Sequence, residues 1–245
     1  MRADPSRQRA LLDLQTLDTT LAQLEHRRAT LPEHDRLDGL ATAISSTESE
    51  MVHAHTEYED LQRELRKAEA DVQLVRDRAA RDQQRLAAGT GTAKDLQGIQ
   101  HELESLARRQ DILEEAELEV MERAEVAERR VNAAEQEHAS LAADAERVTV
   151  ARDDATADIT ADRTRVAADR DRLVGAVGPD LVALYDKIRA RSGTGAAPLV
   201  ARRCGGCQLE LNTVDLGRIR GAEEDEVLRC EECGRILVRT EESGL

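Results

Sequence analysis

The chain has 245 residues, 35% of them charged, a formal net charge of −15 and 1% aromatic residues, with Tyr58 and Tyr185 the only two. Cores and ligand pockets of globular enzymes draw much of their buried area from aromatics, so this composition argues against a small-molecule enzyme. The acidic balance also opposes wrapping in nucleic acid along the length. No apolar run approaches the roughly 18 residues of a membrane span. Met1–Leu24 has amphipathic spacing in place of a signal peptide's apolar block, so no membrane association is expected and the cytoplasm is the expected location.

In chain order, Pro5 suits the first turn of a helix, where its missing N–H costs nothing. The apolar stripe of that helix is Ala10, Leu14, Leu17, Leu21, Leu24 and Leu31, with Arg28 a lapse. Pro32 disfavours helical geometry at Leu31 and removes a donor, so the helix ends there. A second stripe runs from Leu37, Leu40 and Ile44 through Tyr58, Leu61 and Val72 to Asp82 and Leu86. It is offset from the first by two residues, about 200° around a helix, which places a kink near residue 32. Gly89-Thr-Gly-Thr92 then breaks the pattern. Gly closes a helix in the left-handed conformation, and Thr92 with Asp95 forms a capping pair for the next helix. The tip of a helical hairpin is expected at 89–92.

Beyond the tip, steps of three and four residues connect Leu96, Ile99, Leu103, Leu106, Gln110 and Leu113 with Val120, Ala124, Ala127, Val131 and onward to Ile159, Val166 and Leu173. No Pro or Gly interrupts Ile99–Val174. A 3.5-residue average is the spacing of a helix that buries one narrow stripe against a partner helix, and roughly 80 residues at 1.5 Å each make a rod about 120 Å long. The first two helices together match that length. They are expected end to end, antiparallel to the third, within one monomeric chain; the alternative folds the first back as a local third helix. A short helix over 179–191 presents Leu181, Leu184, Tyr185 and Ile188, and Ser192–Pro198 reads as a linker. After it come short β-like segments at Leu199–Arg203, Gln208–Leu211, Glu226–Arg229 and Arg235–Thr240, with a capped helical turn over Asn212–Arg220. The predicted fold is mostly α: a long antiparallel coiled-coil hairpin over 1–192 and a small β zinc ribbon over 198–245.

All four cysteines lie in this last segment, as Cys204-Gly-Gly-Cys207 and Cys230-Glu-Glu-Cys233. Two CxxC knuckles roughly 20 residues apart fit four-thiolate zinc ligation, so one structural Zn2+ per chain is expected. The glycines after Cys204 and Cys233 let the knuckles turn. A redox dithiol would need a thioredoxin-type βαβ frame, which is absent, and disulfides do not suit a cytosolic protein. Four thiolates close the coordination shell, so the metal folds the segment and does not catalyse.

Lys94-Asp-Leu-Gln-Gly-Ile-Gln-His-Glu-Leu-Glu-Ser-Leu106, Leu184-Tyr185, Cys204-Gly-Gly-Cys207 and Arg229-Cys-Glu-Glu-Cys-Gly-Arg-Ile-Leu237 together resemble the bacterial C4-type zinc-ribbon proteins that carry a coiled-coil hairpin. The resemblance covers essentially the whole chain. It departs from the family pattern at Asp95, where Glu is usual, and at Gly98, where a larger apolar residue is usual. It implies an adaptor or regulator rather than an enzyme, in a family associated with an alternative sigma factor, with flagellar or type III secretion components, and with messenger RNA.

Two surfaces are candidates for partner binding. One is the tip, with Lys94, Gln97, Gln100, His101 and Glu102; its bland reading is a solvated, capped first turn. The other is the ribbon, where Arg218, Arg220 and Arg235 stand out among seven arginines set against ten acidic residues. The ribbon has no aromatic residue to stack on a base. A protein partner is therefore expected, with a nucleic-acid-binding regulator using RNA or DNA as the alternative. His53 and His55 are two apart on a helix, point in different directions and are not read as metal ligands. Gly89–Lys94 follows a helix, not a strand, and is not read as a phosphate loop.

Overall fold

The computed structural model describes residues 1–245. Its elements are α1 (Pro5–Ala29), α2 (Pro32–Ala88), α3 (Ala93–Val177), α4 (Pro179–Ser192), β1 (Ala196–Val200), β2 (Arg203–Cys204), α5 (Thr213–Gly221), β3 (Leu228–Arg229) and β4 (Ile236–Val238). The chain divides into two compact units, Asp35–Thr149 and Met1–His34 with Val150–Leu245.

Within Asp35–Thr149, α2 and α3 form an antiparallel hairpin. Every residue of the two predicted stripes in this unit is buried or half-buried, while the residues between them are mostly exposed. Leu61, Ala124 and Ala127 pack together with Tyr58 beside them. The alanines let the helix backbones approach closely. Ion pairs cross the seam at Glu64–Arg123 (3.4 Å), Glu57–Arg130 (3.1 Å), His55–Glu135 (3.1 Å) and Glu48–His138 (3.5 Å). The two Arg–Glu pairs are exposed and the two His–Glu contacts, ionic only with the imidazole protonated, are partly exposed, so each contributes at most about 1 kcal/mol; their use is to fix register. At the tip, Gly89 and Gly91 take φ of 62° and 139°. The Thr92 amide and hydroxyl donate to Asp95 Oδ2 at 2.9 and 2.7 Å, and the Asp95 amide returns a bond to Thr92 Oγ1. Gly98, the departure from the family pattern, occupies open space: a Cβ there would touch nothing within 4 Å.

In the other unit, α1 runs antiparallel to the last turns of α3. Glu25 meets Arg163 at 3.1 Å, Asp18 meets Arg170 Nε at 2.7 Å, and Arg7 Nε donates to Val177 O at 2.6 Å. So α1 continues along α3 in the antiparallel sense and does not fold back. It buries more than one stripe, because α4 and the sheet cover its second face. Leu11, Leu14, Val177, Leu181, Tyr185, Ile188, Ala196, Ile236 and Val238 form one core, drawn from α1, α3, α4, β1 and β4.

The four strands make one sheet in the order β2-β1-β4-β3, with β1 parallel to β4 and the other two pairs antiparallel. Three sequence expectations fail here. Ser192–Pro198 is not a linker: Ala196–Pro198 pair with Ile236–Val238, and Ala196 and Ala197 are buried. Small side chains that look loop-like in composition are what let this strand lie against α1. Gln208–Leu211 is not a strand either. It contributes a single bridge, Arg203 to Glu210, because Gln208 sits at φ 64° and turns the chain. Leu199–Arg203 is not one strand: it holds the end of β1, a turn at Ala201 and Arg202 with φ of 44° and 63°, and the start of β2. Glu226–Arg229 and Arg235–Thr240 are strands over fewer residues than expected, and Asn212 caps α5 through Asp215 N as the sequence suggests.

The buried charge of this unit is Asp18, 1% exposed. It accepts from Arg170 Nε at 2.7 Å and from the Tyr185 hydroxyl at 2.8 Å, and Arg189 Nη1 lies at 3.2 Å. Burial and the hydrogen bond to Asp18 push the Tyr185 hydroxyl far above its ordinary range. One turn earlier, Gln15 Oε1 accepts from the Gly195 amide at 2.7 Å and from the Tyr185 hydroxyl at 3.2 Å. Gly195 is obligatory, since a Cβ would stand 2.4 Å from the Tyr185 ring. Removing one partner of a buried ion pair strands the others, at a cost of about 3 kcal/mol. Asp18→Ala should therefore lower the unfolding free energy by about 3 kcal/mol in urea titrations, and Glu64→Ala by less than about 1 kcal/mol. Equal effects would contradict this assignment.

Candidate metal centre

Each knuckle starts at the end of a strand, Cys204 closing β2 and Cys230 following β3. The two repeat one hydrogen-bonding scheme. The Cys204 amide donates to Leu209 O and the Gln208 amide to Cys204 O; the Cys230 amide donates to Arg235 O and the Gly234 amide to Cys230 O. The left-handed residue falls at the same place in both, Gln208 at φ 64° and Gly234 at φ 72°. Gly205 and Gly206 serve another need than the expected turn. A Cβ on Gly205 would stand 2.9 Å from Pro198 O, and one on Gly206 2.7 Å from Arg235 Cδ. The first knuckle lies directly on β1 and on the Arg235 stem.

This scheme brings four sulfurs together. All lie within 4.8 Å of one another, with Cys204–Cys233 at 3.8 Å and Cys207–Cys230 at 3.9 Å. Thiolates bound at 2.3 Å around a tetrahedral zinc stand about 3.8 Å apart, so the donor set and its spacing both fit one structural zinc. Burial pushes the Cys204 and Cys230 thiols up, the latter to about 12. At Cys233 burial is outweighed by the Arg235 backbone N–H and guanidinium, which hold that thiol near 7. The Arg235 stem packs against Gly206 of the first knuckle with its Nε buried, and Nη2 donates to Ser192 O at 3.3 Å. Four thiolates around a divalent ion leave a net double negative charge, and the Arg235 guanidinium offsets part of it.

A CT398-like coiled coil hairpin domain matches residues 14–193, and a C4-type zinc ribbon domain matches residues 203–237. The chain belongs to the CT398-like coiled-coil hairpin family. A Mycobacterium tuberculosis relative is 38% identical over 241 residues, 98% of each chain, and a Mycobacterium leprae relative is 26% identical over 220 residues, 90% of this chain and 95% of that one. A solved Mycobacterium smegmatis structure, 40% identical, covers 98% of this chain and 100% of its own with a TM-score of 0.82. The fold extends to CT398 from Chlamydia trachomatis at 17% identity and a TM-score of 0.63, covering 96% of this chain and 98% of that one. In this family member β1 and β4 of the zinc ribbon share one hydrophobic core with α1, α4 and the last turn of α3.

The other candidate residues are not all brought together. Lys94, Gln97 and His101 lie within about 60° of one another on α3, opposite the Leu96–Ile99–Leu103 stripe; all three are exposed. Gln100 is exposed beside them, and His101 lies 3.7 Å from Glu104. Glu102 is drawn away, half-buried and paired with Arg78 across the hairpin. In the ribbon, Arg218 pairs with Glu231 at 2.6 Å and Arg220 is exposed without an ion pair; two residues apart on α5, they diverge. Arg239 donates to the Ile219, Ala222 and Glu223 carbonyls, closing α5. Arg218, Arg220 and Arg235 therefore form no common face.

The sequence reading passed over Gln15, Asp18, Arg170 and Arg189. The signal for them is slight: Asp18 falls in the Leu11–Leu14 register, where an apolar residue belongs, and no motif marks its partners. Outer-shell partners of a metal site typically contribute 10–100-fold in affinity. Arg235→Ala should weaken zinc binding by about tenfold in chelator competition, while Arg220→Ala leaves it unchanged. Equal affinities for the two variants would remove Arg235 from the metal's surroundings.

Proposed function

We propose that this protein is a non-enzymatic adaptor, a cytoplasmic monomer that engages a protein partner through the tip of its hairpin, with the zinc ribbon serving as a structural base. The observation that carries this reading is the contrast between its two candidate surfaces. At the tip, the Lys94, Gln97 and Gln100 side chains make no hydrogen bond or ion pair within the chain, and the Thr92–Asp95 capping pair holds the turn beneath them. In the ribbon, Arg202, Arg203, Arg218, Arg229, Arg235 and Arg239 are each engaged by a carboxylate or carbonyl of this chain. Groups already satisfied internally have little left to offer a phosphate. The closed four-thiolate set leaves no position for water or substrate, and no nucleophile–base pair accompanies it.

The family resemblance points to a sigma factor or a secretion component as the class of partner. Lys94→Glu combined with His101→Glu should weaken partner capture from native lysate, read by quantitative mass spectrometry, with a stability change within about 0.5 kcal/mol, as for exposed substitutions generally. Capture that survives these changes but is lost with Arg218→Ala and Arg220→Ala would place the partner on the ribbon instead.

A further inference from the structure

We infer that zinc occupancy controls the attachment of α1, so that the ribbon is a metal-dependent latch on that helix. This inference does not rest on the tip as the partner site; it concerns how the chain holds itself together. The ribbon reaches α1 at three separate places. Residues before the helix run along the ribbon edge, with the Ala3 amide donating to Asp225 O at 2.7 Å and the Val227 amide donating to Met1 O at 3.1 Å. Gln8, 3% exposed, donates through Nε2 to Ala3 O at 2.8 Å and to Glu224 O at 3.2 Å. Gln15 Oε1 receives the Gly195 amide at 2.7 Å at the entry to β1. Between these polar contacts, Leu11 and Leu14 are fully buried in a core completed by Ala196, Ile236 and Val238.

The strand groups in that set are positioned by the knuckles, while Arg239 at the end of β4 holds the Ala222 and Glu223 carbonyls that precede the Glu224–Val227 edge. The Ile236 amide donates to Gly195 O, and the Cys230 amide to Arg235 O, so the second knuckle sets the start of β4 and β4 sets Gly195. The Gly205 amide donates to Pro198 O, tying the first knuckle to β1. Beyond the helix-facing core, the ribbon keeps a second small core of its own, in which Cys204 and Cys230 are themselves buried members beside Leu199, Leu211 and Leu237. A module of this size draws its folding energy largely from the metal. When the metal leaves, the strands lose their ends, and α1 loses the partners of Gln8 and Gln15 and the cover over Leu11 and Leu14. The Asp18 contacts and the packing of α1 on α3 and α4 remain, but a helix stripped of its ribbon-facing burial opens locally at a lower free-energy cost. The hairpin within Asp35–Thr149 has its own stripe and does not depend on these contacts.

Hydrogen exchange of the full-length chain, zinc-loaded and after chelation, tests this directly. Chelation should raise exchange over residues 196–245 and, in the same step, over residues 5–29 by at least about tenfold, with residues 40–145 unchanged and full protection restored by zinc. The variant Gln8→Ala with Gln15→Ala removes both side-chain hydrogen-bonding links between α1 and the ribbon without touching a cysteine. It should retain one zinc per chain and ribbon protection while the α1 segment exchanges faster. Protection of residues 5–29 that survives chelation while the ribbon opens would overturn the latch. Loss of protection over residues 40–145 together with the ribbon would overturn it as well, by making the metal a switch for the whole fold. So would an α1 segment as protected in the double variant as in the parent chain.

Discussion

A single buried carboxylate constrains how the unit that carries the ribbon is assembled. Asp18 is removed from water, and a buried charge is tolerated only when its lone pairs are filled. Arg170 from α3, Arg189 and Tyr185 from α4 fill them. The donors arrive from two segments, α3 and α4, so the positions of α1, α3 and α4 are fixed together. Tyr185 then extends the constraint into the sheet, because its ring excludes any side chain at Gly195 and its hydroxyl shares Gln15 with the Gly195 amide. Apolar packing alone would permit α1 to slide along α3; a carboxylate with three directed donors does not.

The hairpin formed by α2 and α3 within Asp35–Thr149 obeys a different logic. Its seam is long and narrow, rich in Ala, and its crossing ion pairs are exposed and individually weak. Stability there accumulates layer by layer, with no residue on which the rest depends. The other unit instead concentrates its energy in two packed cores and a metal site. A relative at 17% identity keeps the fold, as expected where a spacing pattern carries most of the information and particular side chains carry little.

The helices were legible because periodicity is a strong signal over long stretches. The stripes drawn from leucines, alanines and valines coincide with the buried faces, and the Thr92–Asp95 cap and the two CxxC knuckles were readable as motifs. What escaped were features that depend on tertiary placement. Ala196–Pro198 has the composition of a linker and becomes a central strand only because β4 lies beside it. Gly205 and Gly206 looked like turn glycines, but close approach of Pro198 and Arg235 is what demands them. Arg235 counted as one of several surface cations until the fold turned it toward Cys233. Asp18 and Gln15 were invisible for the same reason, since a polar residue in an apolar register has meaning only once its partners are known.

The central claim is that the metal site, the sheet and the Asp18 cluster fold as one cooperative unit. The chain supplies its own reporter, because Tyr185 and Tyr58 are its only aromatic residues. In a Tyr58→Leu background, the near-ultraviolet circular dichroism band belongs to Tyr185 alone. Followed through a urea titration beside a colorimetric zinc indicator, the Tyr185 band and metal release should share one midpoint. Metal released with the Tyr185 band intact would contradict the claim and leave the ribbon an independent module resting on the helices.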